Sequence, residues 1–170
     1  MVRTAHPTKP PLSRDEAGRE GVGGVRAWHT RSEAETRELG LTLARELAPD
    51  GILLLSGELG SGKTVLARGI GEGLGIDPRE VQSPTFTLIR EHRGIDRGID
   101  GRGGRMVHVD LYRLDPEEVA ALGLEELLAG EGVKVVEWAE RLPFAVPGAR
   151  WLRLRRLGEE EREVTEEDNL

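Results

Sequence analysis

The sequence predicts an α/β fold built on a mostly parallel sheet, and three observations carry that prediction. Short apolar runs alternate with helical stretches along the chain. One of them, Ile52-Leu53-Leu54-Leu55, is apolar at every position, as suits a strand buried on both faces. It leads straight into a glycine-rich turn and a helical stretch, the opening of a βαβ unit.

The elements follow in order. Residues 1 to 24 carry Pro, Gly and charge with almost no large apolar side chain, so they are expected to be a disordered tail. Ser32-Glu33-Ala34-Glu35 reads as a capping box, in which the Ser hydroxyl accepts from the N–H three residues on and Glu35 reaches back. Leu39, Leu43 and Leu47 then mark one helical face, and Pro49-Asp50-Gly51 stops it. After the strand Ile52–Leu55 a helix is expected from Lys63 to about Leu74. Phe86–Ile89 reads as a strand, and Gly94–Arg105 as a flexible Gly/Arg loop without periodicity. Met106–Asp110 is the next strand and ends in an acid. Asp115-Pro116-Glu117-Glu118 combines an N-cap acid, proline in the first turn and carboxylates at the positive end of the dipole, opening a helix to about Ala129. Gly132–Val136 is a strand ending at Glu137. Trp151–Leu157 alternates apolar and basic residues, a late half-exposed strand with which Glu163–Thr165 can pair. One domain over residues 25–166 is expected, with 94–105 as an insertion and 167–170 as a second tail.

Composition narrows the function. The 170 residues carry a formal net charge of −7, which gives no support to an autonomous nucleic-acid binder with a basic surface. There is no cysteine, so disulfides and thiolate metal sites are excluded. No stretch reaches the roughly 18–20 apolar residues of a membrane span. A cytoplasmic protein is expected.

The residues that carry chemistry lie at strand ends, where open α/β sheets bind ligands. Gly57-Glu58-Leu59-Gly60-Ser61-Gly62-Lys63-Thr64 matches G-x-x-x-x-G-K-[ST], between a strand and a helix as that motif requires. Its backbone N–H groups, continuing to Val65, would cradle the phosphates of ATP. Lys63 would place a charge on the β- and γ-phosphates, and the Thr64 hydroxyl would ligate Mg²⁺. The fold expected is thus a P-loop NTPase-type three-layer sandwich with late antiparallel strands. Asp110, ending its strand, matches the acid of the magnesium shell. Glu137, ending another, has two open roles, as a magnesium ligand (direct or through water) or as polariser of the attacking water; a surface acid capping the turn is the plain alternative. Thr85 in Ser83-Pro84-Thr85 either offers a switch hydroxyl to metal or γ-phosphate, or merely enters a strand. His108 lies on the same strand face as Asp110 and reads as a structural histidine.

Taken together, GELGSGKT, SPTFTL, HVDLYRL and VEWAER resemble the TsaE (YjeE) family, in that family's order, with weaker similarity over about residues 28–165. The resemblance implies an ATPase needed for threonylcarbamoyladenosine (t6A) modification of tRNA beside the anticodon. It implies action on the TsaD–TsaB heterodimer, resetting it between turnovers, with tRNA reached only through that complex. By position it makes Thr64 and Glu137 magnesium ligands, with Asp110 in the same metal and water shell, and Thr85 the switch-like threonine. Trp138 becomes the family's Trp beside the acid, while Glu33 and Arg162 are placed where the family approaches the nucleotide. A small-molecule kinase, a GTP switch and a non-hydrolysing scaffold compete with this reading. The kinase would need an acceptor pocket, and the guanine-reading N/T-K-x-D is absent from the sequence.

Overall fold

In the computed structural model, the described residues are 26–95 and 104–167. The expected tail at 1–24 and most of the Gly/Arg insertion lie outside them. The elements are β1 (Ala27–Thr30), α1 (Glu33–Glu46), β2 (Ile52–Ser56), α2 (Lys63–Gly73), β3 (Ile89–Arg93), β4 (Arg105–Asp110), α3 (Pro116–Ala120), α4 (Leu124–Ala129), β5 (Val133–Glu137), β6 (Arg150–Arg156) and β7 (Arg162–Glu167).

All seven strands form one sheet in the order β1-β7-β6-β2-β5-β4-β3. The central four, β6-β2-β5-β4, run parallel, and both edges are antiparallel. The period of two along a strand sends alternate residues to opposite faces, and here that makes two separate cores. Leu53, Leu55, Met106, Val135 and Leu152 pack under α1 and α2. Leu54, Val107, Val109 and Val136 pack under α3, α4 and the chain beyond β5. The expected three layers are therefore present.

Local signals place the helices as read. Ser32 Oγ accepts from Glu35 N–H at 3.1 Å, and Glu35 reaches back to the N–H of Arg31 at 2.7 Å. Asp115 and Glu118 form a complete capping box at the start of α3, and a cap of this kind is worth about 1 kcal/mol.

Three expectations need correction. Residues 86–88 are not a strand. The N–H groups of Thr87 and Leu88 donate to Pro84 O at 3.0 and 2.7 Å, Leu88 takes φ 61°, and extended structure begins only at Ile89. Pro84 and the pull of Asp110 on Ser83 and Thr85 make this stretch a turn instead. The helix opened by Asp115 does not run unbroken to Ala129. It stops after Ala120, and Gly123 at φ 65° starts a second helix, because one continuous helix could not turn both Val119 and Leu128 into the same core. Arg105 belongs to β4 rather than to the loop, paired with Arg93 in register. One strand went unread: β1 is too short and mixed to announce itself, and it forms by pairing with β7.

Candidate phosphate and metal site

The site sits at the carboxyl ends of β2, β4 and β5, under the start of α2. Gly57, Gly60 and Gly62 hold φ of 139°, 76° and 100°, values that side chains with a Cβ resist, and this lets the loop fold over on itself. Lys63, only 4% exposed, turns back into that loop. Its ammonium donates to Gly57 O at 2.6 Å and Glu58 O at 2.8 Å, and reaches Ser61 Oγ at 3.3 Å. It also stands 4.1 Å over the Trp138 ring. Burial lowers its pKa, and the nearby carboxylates of Glu137, Glu140, Asp110 and Glu58 oppose that shift. A desolvated cation enclosed by carbonyls and facing acids is a ready partner for phosphate oxygens.

Parallel pairing of β4 with β5 sets Asp110 directly beside Glu137. Both carboxylates are almost fully buried. The Thr64 hydroxyl, on the first turn of α2, lies 3.0 Å from each oxygen of Glu137. Asp110 Oδ2 accepts from Ser83 Oγ at 2.5 Å and Thr85 Oγ1 at 2.9 Å, and Oδ1 accepts from the N–H of Tyr112 at 2.8 Å. The turn 83–88 is thus tied to the acid at the end of β4.

This donor set fits Mg²⁺. Its atoms are hard oxygens, a hydroxyl and two carboxylates, and magnesium is ordinarily held by one or two protein oxygens together with nucleotide phosphates and water. Among the described residues no group of three or more His, Cys, Asp or Glu forms a metal cage. Thr64 and Glu137 would hold the ion, with Asp110 beside them.

Arg162 also comes to the loop. Its Nε is buried without a partner and lies 3.5 Å from where a Cβ on Gly62 would stand. Its Nη1 donates to the carbonyls of Gly158, Glu159 and Glu161. Glu33 stands apart: its carboxylate is turned to Arg68 of α2 at 3.5 Å, and it is Thr36, one turn on, that faces Gly62. Leu59 is 70% exposed at the tip of the loop. Arg156 was not singled out in the sequence, and His108 was read there only as a structural histidine. Arg156 Nη1 lies 3.9 Å from where a Cβ on Gly60 would stand, and its one signal was the basic alternation of the late strand. His108 touches Glu137 directly at 2.7 Å.

The family model described as "Threonylcarbamoyl adenosine biosynthesis protein TsaE" matches residues 30–164. The chain belongs to the TsaE family. It is 40% identical to the tRNA threonylcarbamoyladenosine biosynthesis protein TsaE of Bacillus subtilis over 139 residues, covering 81% of this chain and 82% of that one. The Treponema pallidum TsaE is 35% identical over 138 residues, covering 80% of this chain and 96% of that one. The crystal structure of Bacillus subtilis YdiB superposes with a TM-score of 0.61 at 32% identity, over 86% of this chain and 87% of that one. The TsaE match spans every site residue named above, from Glu33 to Arg162. TsaE family proteins are involved in tRNA threonylcarbamoyladenosine biosynthesis. Among the described residues no helix is long and apolar enough to cross a membrane.

Proposed function

We propose that this chain binds Mg²⁺ and ATP on loop 57–64, hydrolyses the ATP slowly when alone, and uses that cycle to sustain turnover of the TsaD–TsaB heterodimer in the cytoplasm. The observation that carries the reading is the contact of the Thr64 hydroxyl with the Glu137 carboxylate beneath a loop already closed on Lys63. Unrelated packing has no reason to bury that acid there.

The chemistry assigned to each residue follows from its position. Lys63 exchanges its carbonyl partners in the loop for phosphate oxygens, keeping its charge beside them. The loop N–H groups and the amino end of α2 receive the same anion. Bound magnesium would neutralise charge developing on the phosphates. Thr64 offers its oxygen to the cation while its hydrogen remains directed to Glu137. Asp110, held by Ser83, Thr85 and Tyr112, orients water at the edge of the site and couples it to the turn 83–88. Thr85 would change partners when nucleotide arrives, as switch segments do. Arg162 and Glu33 would border the nucleoside end.

The exposed side chains around the site support a protein partner. Phe86 is 84% exposed on the turn tied to Asp110, and Leu59 lies on the loop tip. Large exposed apolar groups are natural contacts for another surface. tRNA would be reached through the heterodimer, consistent with the acidic net charge. A depression of about 390 Å³ lies between Arg79, Gln82 and β3, away from Lys63 and Glu137, so it is not placed to hold a kinase acceptor.

The test is ATP hydrolysis with Mg²⁺, with and without TsaD–TsaB, scoring t6A on tRNA in the same reactions. The expected result is faster hydrolysis with the pair and t6A beyond one turnover only when this chain is present. Hydrolysis indifferent to the pair would keep the ATPase and remove the assigned partner.

A further inference from the structure

We propose that His108 is a positioning residue that fixes the Glu137 carboxylate for the divalent cation of the nucleotide; this rests on the ATP and magnesium reading above. The imidazole is fully buried on β4, and its Nε2 lies 2.7 Å from Glu137 Oε1. Glu137 is 2% exposed. Among the described residues no arginine or lysine forms an ion pair with it. A buried carboxylate needs hydrogen-bond donors. Glu137 has two, and they differ in kind. Thr64 lies on the ligand side, and its hydroxyl rotates freely. His108 lies on the sheet side, and its ring is fully buried on a strand paired on both flanks, to β3 and to β5.

The other ring nitrogen sharpens the assignment. His108 Nδ1 is buried and has no hydrogen-bond partner among the described residues. The nearest ring, His92, stands 6.3 Å away at 43°. A histidine kept for a structural hydrogen-bond network would use both nitrogens. Here the polar contact goes to Glu137 alone. Facing a carboxylate, Nε2 serves as the donor of the pair and Glu137 Oε1 as the acceptor. One carboxylate rotamer is thereby selected, with both of its oxygens 3.0 Å from the Thr64 hydroxyl. Outer partners of metal-binding carboxylates typically contribute about 10–100-fold in metal affinity.

The experiment compares wild type, His108→Leu and His108→Gln. Leucine keeps much of the volume without a donor, and glutamine restores one. Affinity for a fluorescent ATP analogue is titrated against Mg²⁺ and repeated in EDTA. The nitrogen-15 shifts of the wild-type imidazole are read without nucleotide. The expected result is that His108→Leu needs about tenfold more Mg²⁺ for tight binding and keeps its affinity in EDTA, while His108→Gln recovers most of the loss. The imidazole should show the hydrogen on Nε2. Three results would overturn the proposal: unchanged magnesium dependence in His108→Leu, an equal loss in EDTA that glutamine does not repair, or a neutral ring whose hydrogen sits on Nδ1 and not on Nε2. If His108→Leu does not fold, the glutamine variant and the imidazole shifts decide. A wild type that binds no ATP with or without Mg²⁺ would overturn the underlying reading and this one with it. Normal magnesium-dependent binding in all three proteins would remove only the role of His108.

Discussion

Lys63 holds its own loop in shape, its ammonium donating to Gly57 O and Glu58 O. Lys63→Ala removes both this tie and the charge on the phosphates. Hydrogen bonds to charged groups are worth about 1.5–3 kcal/mol, so ATP affinity should fall by roughly 10–150-fold, read by calorimetric titration. Glu137→Gln should instead leave affinity in EDTA near wild type and slow hydrolysis at saturating Mg²⁺; equal losses in both would show that the acid serves binding only. His92 gives a second residue-scale prediction. Its pKa is lowered, first by burial and then by His108 and Arg90, with Glu80 opposing. The native state therefore binds less proton than the unfolded chain. Stability should fall as pH drops through the unfolded value near 6.5 toward the lower folded value, by up to about 1.4 kcal/mol per pH unit. Denaturant melts of wild type and His92→Leu between pH 7 and 5 should show a shallower acid loss in the variant.

At the scale of elements, the contact of α1 with α2 fixes where the loop points. A Cβ on Gly69 would run into the backbone carbonyl of Arg37 and come within 3.0 Å of Gly40 Cα. Alanine would gain about 1 kcal/mol of helix propensity. The clash is with backbone, which cannot rotate aside, and overpacking of this kind costs about 1–3 kcal/mol. Gly69→Ala should therefore lower the denaturation midpoint, and weaken ATP binding as α2 tilts away from Glu137. Elements with strong local signals were legible in the sequence: α1 and α3 through their caps, β2 through its wholly apolar run, α2 through the loop before it. Elements made by partners were not. β1 exists because β7 offers an edge to it. Residues 86–88 have strand-like composition, yet the carboxylate of Asp110, more than twenty residues away in sequence, draws Ser83 and Thr85 into a turn.

For the whole molecule, nucleotide binding should be visible as stability. A ligand at about 100 times its dissociation constant adds about 2.7 kcal/mol, which in a domain of this size raises Tm by about 5–10 °C. ATP with Mg²⁺ should give that rise, ATP with EDTA a smaller one, and GTP less than ATP. An equal rise with ATP and GTP would remove the adenine preference. The site draws on β2, β4, β5 and α2 together, so Thr64 and Glu137 meet across 73 positions of sequence. The sheet order that joins them, β2-β5-β4, also aligns Asp110 with Glu137.

The sequence by itself determined the phosphate loop, its lysine and threonine, the acids at two strand ends and the family. Each of these is a local pattern whose spacing has a direct physical cause. Tertiary structure alone decided which donors those acids meet. His108 read as an ordinary core histidine because its partner lies on the neighbouring strand, 29 positions away. Likewise only the packing of α1 on α2 sets Glu33 beside Arg68 and Thr36, one turn on, against Gly62. Periodicity says which face of its own element a side chain takes. The side chains it will meet across the sheet depend on strand order and register, and these are fixed only when the whole sheet closes on its two cores.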